Sequence, residues 1–352
     1  MVKKYPPIPA LDGVRGLAVL FVLLCHTGYS HFAPLVVGMG TFGVMLFFVL
    51  SGFLMAYHYL PDGFSARYWS AFCAHRFVRV YPAFFLATFG YLLMQYYLPK
   101  NYPGIPRDGW QGLVPIWLLA KNRELFWTIP VEIKFYLIYP LIAYGIFCLP
   151  SRKTLSALAL LGAGLLYLIT GNHSAGLSLS YLAFFISGVT SGHLFKKYDL
   201  ERIKPAYWEA LTFILLLGFC FILGAFHFSG LNQQQLFTLT WPGSPILALF
   251  LLSLGRSQGI AAWIFTNPVS RFMGRISYSA YLMHWFLIAA FKHLLPASPL
   301  KSPLSWCDSF LVFAWILLVS WIYHLLVESP CTRLAKNISK NILSSGHDPK
   351  NT

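Results

Sequence analysis

Acidic side chains are nearly missing: only 11 of the 352 residues are Asp or Glu, and all charged types together make up 11% of the chain. A soluble domain carries about a quarter of its residues as these types. So few charges cannot cover a globule of this size in water, and lipid must cover the rest. Cysteine is sparse and scattered. Cys25, Cys73, Cys148, Cys220, Cys307 and Cys331 include no CxxC pair, which argues against a zinc ribbon or a disulfide framework. The motifs GxxxxGK[ST], HExxH and GxSxG are absent, as is the HxxxxD pair of soluble-type acyl transfer. Nucleotide hydrolysis, zinc proteolysis and serine-elbow hydrolysis therefore have no support, and no metal is expected. No internal repeat and no low-complexity tract is visible.

What is present is apolar: 57% of the residues are hydrophobic, 18% are aromatic, and the mean hydropathy is +0.61. A hydrocarbon core about 30 Å thick needs about 20 mostly apolar helical residues. Such runs fall at Leu11–Gly28, Val36–Leu60, Val80–Leu98, Phe126–Leu149, Leu155–Thr170, Leu177–Phe195, Ala210–Phe228, Leu236–Leu254, Ile276–Leu295 and Leu304–Val327. The predicted fold is all-α, a polytopic transmembrane bundle of about ten spans. The first run holds Asp12 and Arg15 and has no small-residue cleavage site after it, so it reads as a span and not as a signal peptide. Two connections are long. The segment Pro99–Leu125 is expected outside, and Gly255–Arg275, with a short apolar piece at Ile260–Phe265, inside. Residues 1–335 are expected to form the membrane domain and 336–352 a short cytoplasmic tail, disordered from Ser344 onward.

The net charge of +15 does not point to nucleic acid, because the bases sit in short clusters between the apolar runs. Such clusters report orientation, since Lys and Arg are retained on the cytoplasmic side. About 18 of the 26 bases fall on the side of Lys3 and Lys4 and about six on the other, with Arg15 and Lys134 inside spans. Both termini are therefore predicted to be cytoplasmic, in a multi-pass protein of the cytoplasmic (inner) membrane.

Ionisable residues inside a bilayer cost about 2.5–3.5 kcal/mol each even on lenient scales. Arg15 and His26 are eleven residues apart, which returns the helix face to within about 20° and separates them by about 16 Å. One face then carries a cation near the inner leaflet and an imidazole near the outer half, an arrangement suited to a long ligand with an anionic end. The plainer reading is an orientation anchor and an interfacial histidine. Arg76 and Arg79 share a face at i and i+3, beside His75, and can grip phosphate oxygens bidentately; the plainer reading is contact with anionic headgroups. Glu132, Tyr136 and Tyr139 share another face, where the carboxylate could orient a histidine or pair with Arg15 or another base. Ser277, Tyr281 and His284 make a polar stripe of the kind that serves helix packing through interhelical hydrogen bonds.

These blocks, in order, resemble the acyltransferase-3 family of polytopic membrane enzymes. Leu11-Asp12-Gly13-Val14-Arg15-Gly16 with His26 is similar to the family's opening R-x10-H motif, and Gly43 to Leu54 to its second-helix signature. Arg76 and Arg79 match its RxxR pair, followed by Tyr81-Pro82. Trp127 to Pro140 matches its W-S-L-x-V-E-x-x-F-Y-L-x-Y-P run with Glu132 at the acidic position. Ile276 to His284 resembles its ISYS-x-Y-L-x-H element, and Glu328-Ser329-Pro330 its closing E-x-P. Met45 and Lys134 depart from the usual residues, and the chain looks like the stand-alone form without an appended SGNH domain. The resemblance implies an O-acyltransferase that uses acyl-CoA, most often acetyl-CoA, to modify a hydroxyl of an extracytoplasmic glycan such as O-antigen or exopolysaccharide. Arg76 and Arg79, helped by Arg15, would hold the CoA phosphates. His26 would act as general base or as acyl carrier, and Glu132 would orient or charge the site. A transporter or flippase of a lipid-linked glycan, working without acyl chemistry, is the rival, and a non-catalytic membrane scaffold a weaker third reading.

Overall fold

The computed structural model describes residues 5–27, 39–59, 65–94, 109–119, 126–147, 179–229, 243–294 and 306–345, and among these every regular element is helical. In chain order they are α1 (Pro9–Thr27), α2 (Met39–Tyr59), α3 (Ala66–Met94), α4 (Gly109–Trp117), α5 (Thr128–Phe147) and α6 (Leu179–Lys197). These are followed by α7 (Pro205–Ser229), α8 (Ser244–Leu254), α9 (Ile260–Thr266), α10 (Pro268–Leu294), α11 (Trp306–Tyr323) and α12 (Ser329–Ser344). The chain forms two compact units, Met1–Leu60 with Ser180–Ser320, and Pro61–Leu179 with Trp321–Thr352.

In the first unit α1 is the central element, packed on α10, α2 and α9. Small residues allow this. A Cβ on Gly13 would lie 1.9 Å from the Phe265 carbonyl oxygen, and one on Gly274 1.9 Å from that of Asp12, so the backbones touch. Gly188 and Gly192 on α6 meet the Val49 and Phe53 carbonyls of α2 in the same way. The partners also set helix direction. α1 and α10 run parallel, from Asp12 against Gly274 to His26 against His284. α2 and α6 are parallel, as are α6 and α8 (Ser187 with Ser244, Ser191 with Ala248), whereas α7 and α8 are antiparallel through Phe219–Phe250 and Thr212–Ser253. Hydroxyls bond across these contacts: Thr212 reaches Ser253 at 2.9 Å and Ser257 at 3.0 Å.

α10 begins earlier than its apolar run. Asn267 Oδ1 accepts the Ser270 N–H at 3.0 Å, an N-cap, and Pro268 follows as the first helical residue. Arg271 and Arg275, read from the sequence as loop, therefore lie on the first turns of the helix.

In the second unit α3 carries α5 and α12 on its sides. Trp69 and Phe72 pack on Tyr139, and Phe84 and Tyr91 on Phe126, so α3 and α5 run antiparallel. Tyr81 donates to the Trp117 carbonyl at 2.8 Å and Trp117 Nε1 to Thr88 at 2.7 Å, fastening α4 to α3. Between α11 and α12 the helix widens over His324–Glu328, where the Ser329 N–H bonds back to the His324 carbonyl. Pro330 explains this: its ring has no N–H and crowds the carbonyl four residues back, and a wider turn relieves both problems. Helix therefore continues past residue 335, to Ser344, with Ala335 fully buried.

Five helical segments among the described residues are long and apolar enough to cross a membrane: Pro9–Thr27, Met39–Tyr59, Ala66–Met94, Pro205–Ile222 and Cys307–Ser344. The chain is thus a multi-pass helical membrane protein. α5, α6 and α10 lie on three further expected runs, and the short α9 coincides with Ile260–Phe265. α8 covers the end of Leu236–Leu254, while the run Leu155–Thr170, the loop after α1 and the last seven residues lie outside the described residues. Outward-facing side chains fit a lipid solvent: Tyr207, Ile214, Leu217 and Phe221 on α7 are all exposed.

Candidate active site

In the first unit the site is built on α1 and α10. α1 is one unbroken helix, so Arg15 and His26 keep the common face and the spacing of about 16 Å that their sequence positions predict. Arg15 is half-exposed and, among the described residues, makes no hydrogen bond or ion pair. His26 stands one residue before the end of α1, and its ring stacks on His284 with centroids 5.1 Å apart and planes at 28°. Trp285 packs on the same ring with centroids 4.8 Å apart. His284 is 2% exposed, and its Nδ1 lies 2.6 Å from the Tyr281 carbonyl. A carbonyl only accepts, so Nδ1 carries the proton and Nε2 presents a lone pair. Among the described residues Nε2 has no hydrogen-bond partner.

Two bonds of the polar stripe on α10 stay within the helix. Ser277 donates to the Gly274 carbonyl of its own helix at 2.9 Å and His284 bonds within its own helix, so neither of these bonds ties two helices together. The pairing of His26 with His284 is the contact at the candidate site that sequence reasoning missed. Its only signal was the histidine that closes the ISYS-x-Y-L-x-H element.

In the second unit Arg76 and Glu132 come together through a tyrosine. The Arg76 guanidinium lies 5.2 Å over the Tyr136 ring and 5.8 Å from that of Phe72, and the Tyr136 hydroxyl donates to Glu132 Oε1. Arg76 is 7% exposed. That burial gives its charge more weight than a surface cation has. Arg79, one turn on, is half-buried and is the more accessible of the two. His75 is buried beside them. Further along, Glu328 is 5% exposed and accepts from His324 Nδ1 at 2.9 Å, which places the E-x-P carboxylate in the widened turn. No cluster of metal-ligating side chains occurs among the described residues.

A multi-pass helical membrane protein with two stacked imidazoles, His26 on α1 and His284 on α10, is the class that fold and candidate site define. Residues 8–325 match the family model described as an acyltransferase domain, and the chain belongs to this acyltransferase-3 family. It is 24% identical over 379 residues to the acyltransferase MdmB of Streptomyces mycarofaciens, with 93% of this chain and 92% of that protein covered. It is also 24% identical over 317 residues to the O-acetyltransferase OatA of Staphylococcus aureus, with 81% of this chain and 52% of that protein covered. The chain spans about half the length of the staphylococcal relatives it matches. No solved structure matches it significantly.

Proposed function

We propose that the protein is a membrane O-acyltransferase that moves an acetyl group from cytoplasmic acetyl-CoA to a hydroxyl of an extracytoplasmic glycan. The observation that carries this reading is His26, held against His284 and Trp285 on the helix face it shares with Arg15, in a chain of the acyltransferase-3 family. The acceptor oxygen attacks the thioester carbonyl while its proton passes to His26. The C–O bond forms, the C–S bond breaks, and the proton goes on to the leaving thiolate to give free CoA. Donor phosphates are assigned to Arg76 and Arg79, because guanidinium groups hold phosphate oxygens through charge-assisted pairs. Glu132 is assigned to setting the charge and position of this cationic group through Tyr136.

The helix directions support about ten spans with both termini on one side, and the excess of bases on that side supports the cytoplasm. Two spans run parallel only when an odd number of crossings separates them. α2 and α6 are parallel with α3 and α5 between them, which calls for a third crossing, and the apolar run Leu155–Thr170 is the sequence's candidate. With it, the parallel α1 and α10 become the first and ninth spans.

Proteoliposomes test the activity and its sidedness together. With radiolabelled acetyl-CoA outside and base-de-esterified surface glycan of the source cell trapped inside, alkali-labile label is expected in the trapped glycan. Label confined to the outer medium, or none in the glycan at any donor concentration, would overturn transfer across the membrane.

A further inference from the structure

We propose that His284 is an acceptor-binding residue whose Nε2 takes a hydrogen bond from a second hydroxyl of the acceptor, next to the one that His26 deprotonates. The inference rests on the reading of His26 as the base. Its own grounds are geometric. The Nδ1 proton of His284 is committed to the Tyr281 carbonyl, which leaves Nε2 as a lone pair in a side chain 2% exposed. Among the described residues nothing satisfies that lone pair, and a buried acceptor left unmet is destabilising. The ring is stacked 5.1 Å from His26, so the unmet acceptor borders the reacting group.

A histidine acting as base presents a lone pair of its own, so the stack offers two acceptors side by side and calls for two hydrogen donors. The reacting end of the acyl donor supplies a carbonyl oxygen and a sulfur, both acceptors. Hydroxyls are what match, and two on neighbouring carbons, as in a sugar or another vicinal diol, match best. One oxygen attacks the thioester while the other holds the carbon frame in place. Trp285, against the same imidazole, supplies an aromatic wall beside them. The site is thereby assigned a polyol acceptor, in preference to an isolated alcohol.

Two substitutions separate this role from a packing role. His284→Asn keeps an N–H that can reach the Tyr281 carbonyl but has no atom at the place of Nε2. His284→Gln puts its amide oxygen there. With acetyl-CoA and de-esterified surface glycan, His284→Asn is expected to lose about tenfold or more in kcat/KM, carried by the KM for glycan with the KM for acetyl-CoA unchanged. His284→Gln is expected to stay within about threefold of wild type. Wild-type kinetics in His284→Asn, or a rise in the acetyl-CoA KM alone, would overturn the assignment; the second result would give Nε2 to the pantetheine amide. The unsubstituted protein supplies an independent readout. Adding glycan should move the ¹⁵N resonance of His284 Nε2 upfield, as accepting a hydrogen bond does, and an unmoved resonance at saturating glycan would contradict the proposal. His26→Ala, run alongside, tells the two failures apart. If it is inactive while His284→Asn is normal, only the His284 assignment falls; if it is active, the reading of His26 falls first.

Discussion

His26→Ala is expected to abolish acyl transfer while the protein still folds and inserts. Loss of a general base costs about 10²-fold or more in rate, which is about 2.7 kcal/mol or more of transition-state stabilisation. The structural cost is smaller. His26 is half-buried and its described contacts are the ring stacks with His284 and Trp285, each worth about 0.5–1.5 kcal/mol. That is a minor part of the stability of a folded domain. Rates from labelled acetyl-CoA, measured on variant and wild type matched for monodispersity and melting temperature, decide the matter. A variant that keeps more than about a tenth of the wild-type rate removes His26 from the chemistry.

Arg76→Ala is expected to weaken acetyl-CoA binding by about 10-fold or more, since a hydrogen bond to a charged group is worth about 1.5–3 kcal/mol. Arg76→Lys should recover little of this, because an ammonium keeps the charge but loses the planar fork and its stacking over Tyr136 and Phe72. Arg79→Ala should show a smaller loss that shrinks further at high salt, because half-buried Arg79 is screened where buried Arg76 is not. Isothermal titration with acetyl-CoA at low and high salt reads both effects. Equal affinity in wild type and the double variant would return the pair to a structural role.

The apolar runs made most helices legible, because in lipid a span must be long, apolar and internally hydrogen-bonded. Periodicity also placed Arg15 and His26 on one face and Glu132 one turn from Tyr136, where the hydroxyl now donates to the carboxylate. The readings that needed revision depend on signals hydropathy does not carry. α10 starts at Pro268 because Asn267 caps it, although Arg271 and Arg275 make its first turns polar. α12 extends the last helix to Ser344 because its apolar residues lie along one side, packed on α3, and not in a continuous run. The burial of Arg76 was hidden as well, since a basic pair reads the same whether it meets headgroups or aromatic rings. The contact of His26 with His284 joins residues far apart in the chain, so no local spacing could reveal it; the close approach at Gly16 and Gly274 brings the two helices together.

Mass spectrometry of surface glycans from cells with and without this protein tests the central claim most directly. Loss of one acetyl mass from a defined sugar residue is expected when the protein is removed, with restoration by the wild-type chain and not by His26→Ala. An identical acetylation pattern in all three strains, or loss of the whole glycan from the surface in place of its acetyl groups, would contradict acyl transfer, and the second result would favour a transporter.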